Sequence, residues 1–543
     1  MATWKSPYKS VPVSKISLDQ KLMTAMIHHM DVHPNKPALI CGEDPNSRIT
    51  YKEIYVYSLA AGTFLSQRGF RKHVMCLVLP NSFEYVVGYL AANMCGGAIS
   101  GASAMFTDYE LERQFLDSGC TVVLTDDANL AKVRRAVEKC PLIKTIICTR
   151  KDKKERLPSN VFDYDEVIRT SPSTIPQTDR SVEDVAILPY SSGTTGSPKG
   201  VMLSHRNFGT MIDVVNTHFE EILLKKLPEF NWYKEHVMLM LPFYHIYGFG
   251  NLNQCLLNGS TGVVFSKFDP NHFLRAIQSY KVKILMLVPP IVLFLAKHPL
   301  TTQYDLSSIQ IVITGAAPCG KELCEEFYSK YKNVKYMAQA YGMTECGMAS
   351  HLPILDDKQN YVTVGYAASN FEQKIIDPAT GKTLNQGERG EICVRGPTVM
   401  KGYLNRKAAT EETIDKEGWL HTGDIGYVDQ KGQTFIVDRL KELIKVKGLQ
   451  VPPAELEDLL LSHPSIKDAA VIGIPDGRTG EKPKAFVVRS DPRLTEREVQ
   501  KFVESKVSSY KYLTGGVEFI EEIPKSAAGK ILRRFLRDRK SKI

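Results

Sequence analysis

The amino-acid sequence predicts a mixed α/β protein with a large N-terminal domain and a small C-terminal domain. Its 543 residues are too many for a single hydrophobic core. Over the first two-thirds of the chain, apolar runs typical of strands alternate with amphipathic helical stretches, which indicates mostly parallel sheets covered by helices. Between about residues 365 and 437, turn residues separate short strands of alternating polarity, which indicates an antiparallel β subdomain.

The alternation begins with a predicted strand over 74–79 and a helix over 82–95. It continues through strands at 120–125, 142–148, 283–288 and 309–314, and helices at 128–140, 291–297 and 321–331. After Arg439 the sequence predicts a small α+β unit, with helices at 454–462 and near 496–508 and strands at 469–474 and 484–488. We therefore divide the chain into residues 1–437 and 438–543, although no Pro/Gly-rich linker marks the boundary at 438–441.

The composition is that of an ordinary soluble globular protein, with 43% hydrophobic and 24% charged residues. The formal net charge of +9 is mild for this length, and we find no basic stripe interleaved with aromatics, so nucleic-acid binding is not expected. A basic surplus also suits a polyanionic nucleotide. Eleven irregularly spaced cysteines without a CxxC pair predict free thiols in a reducing compartment, rather than a disulfide framework or a zinc site.

Targeting signals are expected at one end of the chain. Residues 1–15 have no apolar signal-peptide core, and the uncharged stretch 85–105 is rich in Gly, Ala and Ser, which favours a buried helix and strand over a transmembrane segment. The last three residues, Ser541-Lys542-Ile543, are a conservative variant of the peroxisomal address Ser-Lys-Leu. They predict peroxisomal import through its receptor, although a lysine-rich tail can end this way by chance, in which case a cytoplasmic location is expected.

The most informative segment is 191–200, which follows the apolar run 185–188 and therefore leaves the end of a strand. Its glycines let the backbone bring N–H groups close to an anion, its hydroxyls add neutral donors, and its lysine adds a positive charge. A Gly/Ser/Thr turn alone is usually only a flexible loop. This one is not a Walker loop, because Gly200 stands where Ser or Thr should follow the lysine. The candidate phosphate-binding residues are Ser191, Ser192, Gly193, Thr194, Thr195 and Lys199.

This segment resembles the signature loop of the adenylate-forming superfamily, which includes acyl- and aryl-CoA ligases, peptide-synthetase adenylation domains and beetle luciferases. Three further segments match the motifs of that superfamily in the same order, namely 314–318, 339–345 and 419–424. The resemblance implies an ATP site in which Tyr341 packs on adenine, Thr344 contacts the α-phosphate and Glu345 holds Mg²⁺. Asp424 would accept hydrogen bonds from the ribose hydroxyls, and the nucleotide-side loops would contribute Ala316, Gln339 and Ala340.

The resemblance also assigns the cations of the reaction. Lys530, in the segment 524–530, resembles the lysine that bridges the carboxylate and the α-phosphate during adenylation. The segment 437–448 resembles the hinge about which a mobile C-terminal lid domain rotates between two half-reactions. There Arg439 would touch ribose and Lys441 would be the pivot. After rotation, AMP would be faced by Lys445 and Gln450, and the coenzyme A tunnel would be lined by Lys447 and Gly448.

The acid pocket is expected around 241–248, where the His-Ile-Tyr string looks most like that of plant coumarate–CoA ligases. By analogy His245 gates the acid and thiol paths and Tyr247 faces the acid. The wall would be completed by His218, Ala316, Ala340, Met348 and Ala349. Since this set has no charged residue for a second polar group, we expect an apolar acid, either fatty or aryl, so that a role in fatty acid metabolism stays open.

The predicted function is therefore an ATP- and Mg²⁺-dependent acid–coenzyme A ligase that proceeds through acyl-AMP. A luciferase-like adenylating monooxygenase is the main alternative. Against it, Met348 stands where beetle luciferases carry Ser, and Tyr247 replaces their usual Phe. A ligase that loads a carrier protein and a non-catalytic nucleotide-binding relative are weaker alternatives, since no carrier domain follows Lys530 and the motif residues are intact.

Overall fold

The computed structural model describes residues 2–151, 153, 156–173, 180–191, 198–355, 361–440, 442–446, 449–476, 480–507, 509–526 and 529–539. The α-helices in this part of the chain are α1 Leu18–Val32, α2 Tyr51–Gln67, α3 Phe83–Met94, α4 Asp108–Ser118, α5 Asp127–Val137, α6 Tyr164–Ile168, α7 His205–His218, α8 Ile246–Asn258, α9 Pro270–Tyr280, α10 Pro289–Lys297, α11 Lys321–Lys330, α12 Lys407–Thr413, α13 Pro453–Leu461, α14 Glu496–Glu504 and α15 Arg533–Arg537.

The strands are β1 Trp4–Lys5, β2 Pro37–Cys41, β3 Arg48–Thr50, β4 Val74–Val78, β5 Ala98–Ala102, β6 Cys120–Asp126, β7 Thr145–Thr149, β8 Val161–Asp163, β9 Val185–Ile187, β10 Tyr190–Ser191, β11 Lys199–Ser204, β12 His236–Leu239, β13 Thr261–Val264, β14 Ile284–Leu287, β15 Ile311–Thr314, β16 Tyr336–Gln339, β17 His351–Leu352, β18 Tyr366–Ala367, β19 Glu372–Ile376, β20 Gly390–Arg395, β21 Gly402–Tyr403, β22 Leu420–Val428, β23 Thr434–Arg439, β24 Ile444–Val446, β25 Leu449–Val451, β26 Ile466–Asp476, β27 Gly480–Arg489 and β28 Val517–Phe519.

Three mainly parallel sheets build most of the N-terminal part, as the strand–helix alternation predicts. The largest has the order β10-β11-β9-β5-β4-β6-β7-β8, with β21 paired to β11, and its strands from β5 to β8 are parallel. A second sheet has the order β12-β13-β2-β3 and a third the order β14-β15-β16. Both faces of the strands β4 and β6 are buried, which accounts for their continuous apolar sequences.

The stretch 85–105 forms the buried helix α3 and strand β5, as expected from its small residues. In the described part of the chain, no helix has both the length and the apolar character needed to cross a membrane. The predicted strand at 142–148 is wrong at its start. Leu142 is 58% exposed in a turn, and pairing with β6 begins at Thr145.

The β subdomain is a five-stranded antiparallel sheet of order β1-β19-β20-β22-β23. Two of its features were not predicted. The N-terminal strand β1 pairs with β19 through Trp4 and Gln373, and β21 leaves this region to pair with β11 of the large sheet. Both pairings join residues that are far apart in the sequence, so that local periodicity does not reveal them.

The C-terminal part is an α+β unit with its own apolar core. Its sheet has the order β25-β24-β27-β26, with β28 parallel to β27. Helix α13 packs on β26, and α14 lies near α13 and β28. The core of this unit includes Leu456, Val471, Val487 and Val499, which are all buried. A separate core supports a separately folding unit, in agreement with the predicted two-domain organisation.

All eleven cysteines are free, and ten of them are buried. Cys319 and Cys324, whose Sγ atoms are 3.5 Å apart, lie at the start of α11. Burial raises the pKa of thiols such as Cys148 to about 12, so these groups are protonated and unreactive near neutral pH.

Candidate active site

The two ends of the predicted phosphate loop are fixed side by side. Ser191 at the end of β10 pairs in antiparallel register with Lys199 at the start of β11, so these two anchors lie next to each other. The loop residues Ser192, Gly193, Thr194 and Thr195 lie outside the described residues. Of the two anchoring strands, β10 is at the edge of the large sheet and β11 contacts the short turn Thr344–Cys346.

Glu345 is the buried carboxylate next to these anchors, with 4% of its surface exposed. Its Oε1 atom accepts hydrogen bonds from the Ser191 hydroxyl at 3.0 Å and from the Tyr403 hydroxyl at 2.8 Å. The ammonium of Lys199 lies 4.9 Å from the centre of the Tyr403 ring. A carboxylate, a cation and hydroxyl donors therefore meet where a polyphosphate and its counter-ion are expected, with Thr344 beginning the same turn.

Tyr403 was not predicted as a site residue. It reaches the site because β21 pairs with β11. In addition, Met400 donates its backbone N–H to the Glu345 carbonyl at 2.8 Å, which fixes the turn Thr344–Cys346 against this segment. The nearest sequence signal is the Gly402-Tyr403 pair, which alone is too common to indicate a role.

The predicted ribose corner is assembled from three segments. Asp424 on β22 is directly opposite Arg439 on β23, and the Arg439 Nε atom lies 3.5 Å from Asp424 Oδ1. Tyr341 donates its hydroxyl hydrogen bond to Asp424 Oδ2 at 2.5 Å. Burial raises the pKa of Asp424, whereas the charge of Arg439 acts in the opposite direction. The carboxylate is thus held by two neighbours, with its orientation fixed before any nucleotide binds.

Glu391 and His421 lie next to the ribose corner and support it. Glu391 Oε1 accepts the backbone N–H of Gly423 at 3.0 Å, and its Oε2 lies 3.2 Å from Nδ1 of His421. The hydrogen bond to Glu391 raises the pKa of His421. Although Glu391, Cys393 and His421 are close enough to hold a metal ion, the facing atoms of Glu391 and His421 already engage each other, so the cluster is interpreted as a structural hydrogen-bonded pair.

The adenine-side loop follows β15 and is supported by Gln339. Ala316 has a φ of 69°, a strained value for a residue other than glycine, and its methyl group is exposed. The Gln339 side chain accepts the Cys319 N–H at 3.0 Å and donates to the Cys319 carbonyl at 2.9 Å. Gln339 was predicted to bind the nucleotide. In the structure the Gln339 side-chain amide is hydrogen-bonded to the backbone of Cys319, so that Gln339 supports the loop that carries Ala316.

Lys530 is hydrogen-bonded to Ser526 and follows Gly529, which packs against the N-terminal part. The Ser526 N–H donates to the Lys530 carbonyl at 2.8 Å, and the Gly529 N–H donates to the Ser526 carbonyl at 2.8 Å. Gly529 has a φ of 77°, and a Cβ there would lie 2.9 Å from Pro290, so the turn needs glycine to sit against α10. Burial lowers the pKa of Lys530 to about 8, and the charge of Arg439 adds to this, while Asp424 and Glu345 oppose it. The pKa of Lys530 therefore depends on the charges of the ribose corner and of the Glu345 carboxylate.

The predicted acid pocket includes His245, whose pKa responds to the charge of Lys530. His245 caps α8, and its Nδ1 accepts the N–H of Tyr247 at 3.3 Å, which leaves its proton on Nε2. Burial, with the nearby charge of Lys530, lowers the pKa of His245 to about 4, so the imidazole is neutral. The ring of Tyr247 lies beside Gly315, which is also close to the carbonyl of Ala340.

Met348 completes this wall. Its φ of 149° is unusual for methionine, and a Cβ on Gly250 of α8 would lie 2.0 Å from its Sδ atom. The glycine is therefore required for Met348 to occupy its position. His218, at the end of α7, is buried, and burial lowers its pKa to about 4.

The residues predicted for the second half-reaction are placed apart from this cluster. Lys445 is exposed on β24, and its backbone N–H donates to Glu481 at 2.7 Å. It is the register partner of Gln450 on β25. The pivot Lys441 and the tunnel residues Lys447 and Gly448 lie outside the described residues, as does the Gln450 side chain. The structure thus brings Lys530 to the site and leaves Lys445 in solvent.

Two family models match most of this chain. The model of the AMP-binding enzyme family matches residues 27–404, and that of the AMP-binding enzyme C-terminal domain matches residues 455–530. The chain belongs to the AMP-binding enzyme family. The predicted membership of the adenylate-forming superfamily is confirmed, and the match of two family models agrees with a large and a small domain.

Individual members of the family are similar over nearly the whole chain. The 4-coumarate-CoA ligase 1 of Narcissus pseudonarcissus is 41% identical over 518 residues, covering 93% of this chain and 91% of the relative. The 4-coumarate--CoA ligase 1 of Arabidopsis thaliana is 40% identical over 514 residues, covering 92% and 89%.

Solved structures of family members have the same fold. An anthranilate CoA ligase in complex with anthranoyl-AMP aligns with a TM-score of 0.85 at 25% identity, covering 97% of both chains. The ATP-bound MatB of Rhodopseudomonas palustris aligns with a TM-score of 0.82 at 26% identity, covering 96% of this chain and 99% of that one. The predicted mixed α/β fold is confirmed.

Proposed function

We propose that this chain is an ATP-dependent acid–coenzyme A ligase that activates an aryl carboxylic acid through its acyl-adenylate. The observation that carries the proposal is the convergence of Glu345, Asp424 and Lys530 on one site. Each comes from a different part of the chain, and each has the chemistry that one step of adenylation needs. Relatives named as 4-coumarate–CoA ligases, and a ligase solved with an aryl-AMP, support both the thioester product and the intermediate.

In the first half-reaction an oxygen of the acid attacks the α-phosphorus of ATP, and the bond to the bridging oxygen of pyrophosphate breaks. Two anions must approach each other, so a cation at the reacting oxygens lowers the barrier. Lys530 provides this charge, since the charges of Asp424 and Glu345 raise its pKa and its own charge lowers the pKa of His245. Thr344 contacts the α-phosphate, the 191–199 loop holds the outer phosphates, and Tyr341 packs on adenine while its hydroxyl fixes Asp424 for the ribose.

The residues around Glu345 fit a magnesium ion. Mg²⁺ is usually bound through one or two carboxylates together with substrate phosphates and water, and Glu345 is a single buried carboxylate beside the phosphate-loop anchor Ser191. When bound, the ion would neutralise charge that develops on the leaving pyrophosphate. The hydroxyls of Ser191 and Tyr403 hold the carboxylate in place for that role.

In the second half-reaction the sulfur of coenzyme A attacks the acyl carbon, and the bond from that carbon to the bridging oxygen breaks. AMP leaves with that oxygen, and the thiol proton is released to solvent. This step requires the small domain to turn about Lys441 and present Lys445 and Gln450 to AMP, with Lys447 and Gly448 along the thiol path. The neutral His245 gates this path rather than acting as a cation. The exposure of Lys445 supports such a rotation, because Lys445 lies in solvent while Lys530 of the same domain is close to the charges of Asp424 and Glu345.

The acid is proposed to be aromatic and to carry a polar group at its far end. The residues assigned to the acid pocket, Tyr247, Ala316, Ala340 and Met348, carry no charge, and Tyr247 and Ala340 both lie near Gly315. Such a lining suits a ring. The buried Tyr247 hydroxyl has no hydrogen-bond partner among the described residues, and a buried polar group without a partner is costly. A phenolic hydroxyl on the acid would satisfy it.

Half-reaction assays test the proposal. ATP, Mg²⁺ and 4-coumarate should give pyrophosphate, and addition of coenzyme A should release AMP and the thioester. Fatty acids of graded length serve as the comparison acids, and Tyr247→Phe should lower the preference for 4-coumarate over cinnamate. If fatty acids turn over and hydroxycinnamates do not, the aryl specificity is wrong, whereas pyrophosphate release without a response to coenzyme A would contradict the ligase.

Two other predictions keep their own tests. The luciferase-like alternative is not favoured by relatives named as coenzyme A ligases, and a test for light with luciferin, ATP and oxygen should be negative. The tail Ser541-Lys542-Ile543 lies outside the described residues. Peroxisomal import, and with it a role in fatty acid metabolism, stays a prediction, which a fluorescent fusion with and without these three residues would test.

A further inference from the structure

Helix α13 of the small domain docks against the ends of two helices of the N-terminal part. The Lys297 ammonium, at the end of α10, donates to the carbonyl of Leu461 at 2.8 Å, where α13 ends. This places a positive charge at the carboxyl end of α13, where the helix dipole favours it. Together with the contact of Gly529 on Pro290, it defines the surface that holds Lys530 in the site.

Asp458 of α13 faces the amino end of α11 in the N-terminal part. Gly320 is the N-cap residue of α11 and offers no side chain to cap that helix. A Cβ on Gly320 would lie 1.5 Å from Oδ1 of Asp458, so the carboxyl of Asp458 occupies the space that a capping side chain would fill. The backbone of Gly320 has φ −63° and ψ 156°, which any residue can adopt. The glycine is therefore needed for the space it leaves and not for its backbone conformation.

Asp458 shares this space with a second carboxyl. Burial, and then the hydrogen bond with Glu322, raise the pKa of Asp458, while that same hydrogen bond lowers the pKa of Glu322. Oδ1 of Asp458 is buried without a hydrogen-bond donor, an arrangement that an ionised carboxylate tolerates poorly. One proton on Asp458 removes both the repulsion and this cost.

The other charges near the pair do not replace that proton. Glu325, one turn along α11, adds a like charge, and the Cys319 thiol lies close by. Lys321 contributes its backbone amide to Asp458, while its side chain lies 3.6 Å from Glu325. Lys297 is engaged with Leu461 and Glu326.

We propose that Asp458 is a positioning residue for adenylation, whose protonated carboxyl fills the gap at Gly320 and holds the small domain in the orientation that places Lys530 in the site. When the pair with Glu322 ionises fully, like charges separate α13 from α11 and free the domain to rotate. The inference rests on the two half-reactions of the proposed function, since it assigns this docked orientation to the first of them.

The pH dependence of domain docking follows from the raised pKa of Asp458. In the docked domain the carboxyl of Asp458 keeps its proton at pH values where a solvated aspartate has lost it. Docking therefore takes up a proton, so the docked orientation is favoured as pH falls through the raised pKa and is lost as pH rises through it.

A distance measurement tests this without any chemistry. Spin labels at Thr302→Cys and Arg497→Cys in a Cys41→Ser background would report the domain arrangement of the full chain, because the remaining ten cysteines are buried. We expect a single distance, that of the docked arrangement, at pH 6.5 and a mixture with a second distance at pH 9. Asp458→Asn, which cannot ionise, should keep the single docked distance at both pH values. The matched control Asp491→Asn, a surface carboxylate paired with Arg493, should behave as the unmodified chain.

A steric variant provides the second test. Gly320→Ala places a methyl group in the space of the Asp458 carboxyl, so adenylation should fall about tenfold, the effect of one lost polar contact, while thioester formation from supplied acyl-AMP stays within about twofold. In an Asp458→Ala background, Gly320→Ala should cause no additional loss of adenylation, because the carboxyl with which the methyl group would clash is then absent. A label distance that ignores pH, Asp458→Asn that follows the unmodified chain, or equal losses in both half-reactions would each overturn the proposal. The distance result stands even if the chain turns over no aryl acid.

Discussion

Replacement of Lys530 by alanine should separate the two half-reactions. The lysine is partly buried beside Asp424 and Glu345, and it follows Gly529, which packs against Pro290. A unit charge about 4 Å from a phosphate oxygen, at an effective dielectric constant of about 20, is worth about 4 kcal/mol. We therefore expect adenylation to fall about a thousandfold.

The assay measures each half-reaction separately. Pyrophosphate release in a single turnover reports adenylation, and thioester formation from supplied acyl-AMP reports the second step. Lys530→Ala should keep the second step within about twofold. Lys445→Ala is the mirror variant, because its side chain is exposed in the present orientation. It should lose thioester formation and keep pyrophosphate release. Equal losses in both steps for Lys530→Ala would refute the reasoning.

Three further predictions follow from the same site. Tyr403→Phe removes a hydrogen bond of 2.8 Å to the buried Glu345 carboxylate, and should raise the Mg²⁺ requirement about tenfold or more, since bonds to charged groups contribute about 1.5–3 kcal/mol; a magnesium titration checks this. Gly250→Ala would displace Met348, and should change the relative kcat/KM among acids with little change in the KM for ATP. The pKa of Lys530 is lowered to about 8, so the charged form is lost as pH rises through 8, and kcat/KM for ATP should fall there; a pH profile that is flat to pH 10 would contradict this.

Sequence motifs were sufficient to find most of the candidate site. The strand pair that carries Ser191 and Lys199, the turn at Glu345 and the loop at Lys530 all occur where their local patterns placed them. Such loops are identifiable because the order of Gly, Ser, Thr and Lys in them is tied to anion binding and not to packing. Strand–helix alternation likewise predicted the parallel sheets, since burial on both faces leaves continuous apolar runs.

What the sequence missed depends on pairing between distant segments. Tyr403 reaches Glu345 only because β21 pairs with β11, and Trp4 joins the β subdomain from the other end of the chain. Gln339 was assigned to the nucleotide by its place in a motif, yet its amide is satisfied by the backbone of Cys319. No local sequence pattern indicates the contact of Asp458 with Gly320, because the carboxyl of one domain fills the space left by a glycine of the other.

The most direct test of the central claim is acid-dependent AMP release, measured with and without coenzyme A, across hydroxycinnamates and fatty acids of graded length. An ATP-dependent aryl acid–coenzyme A ligase should release AMP from a hydroxycinnamate only when coenzyme A is present, in equal amount with the thioester. AMP release that is independent of coenzyme A, or confined to fatty acids, would contradict it.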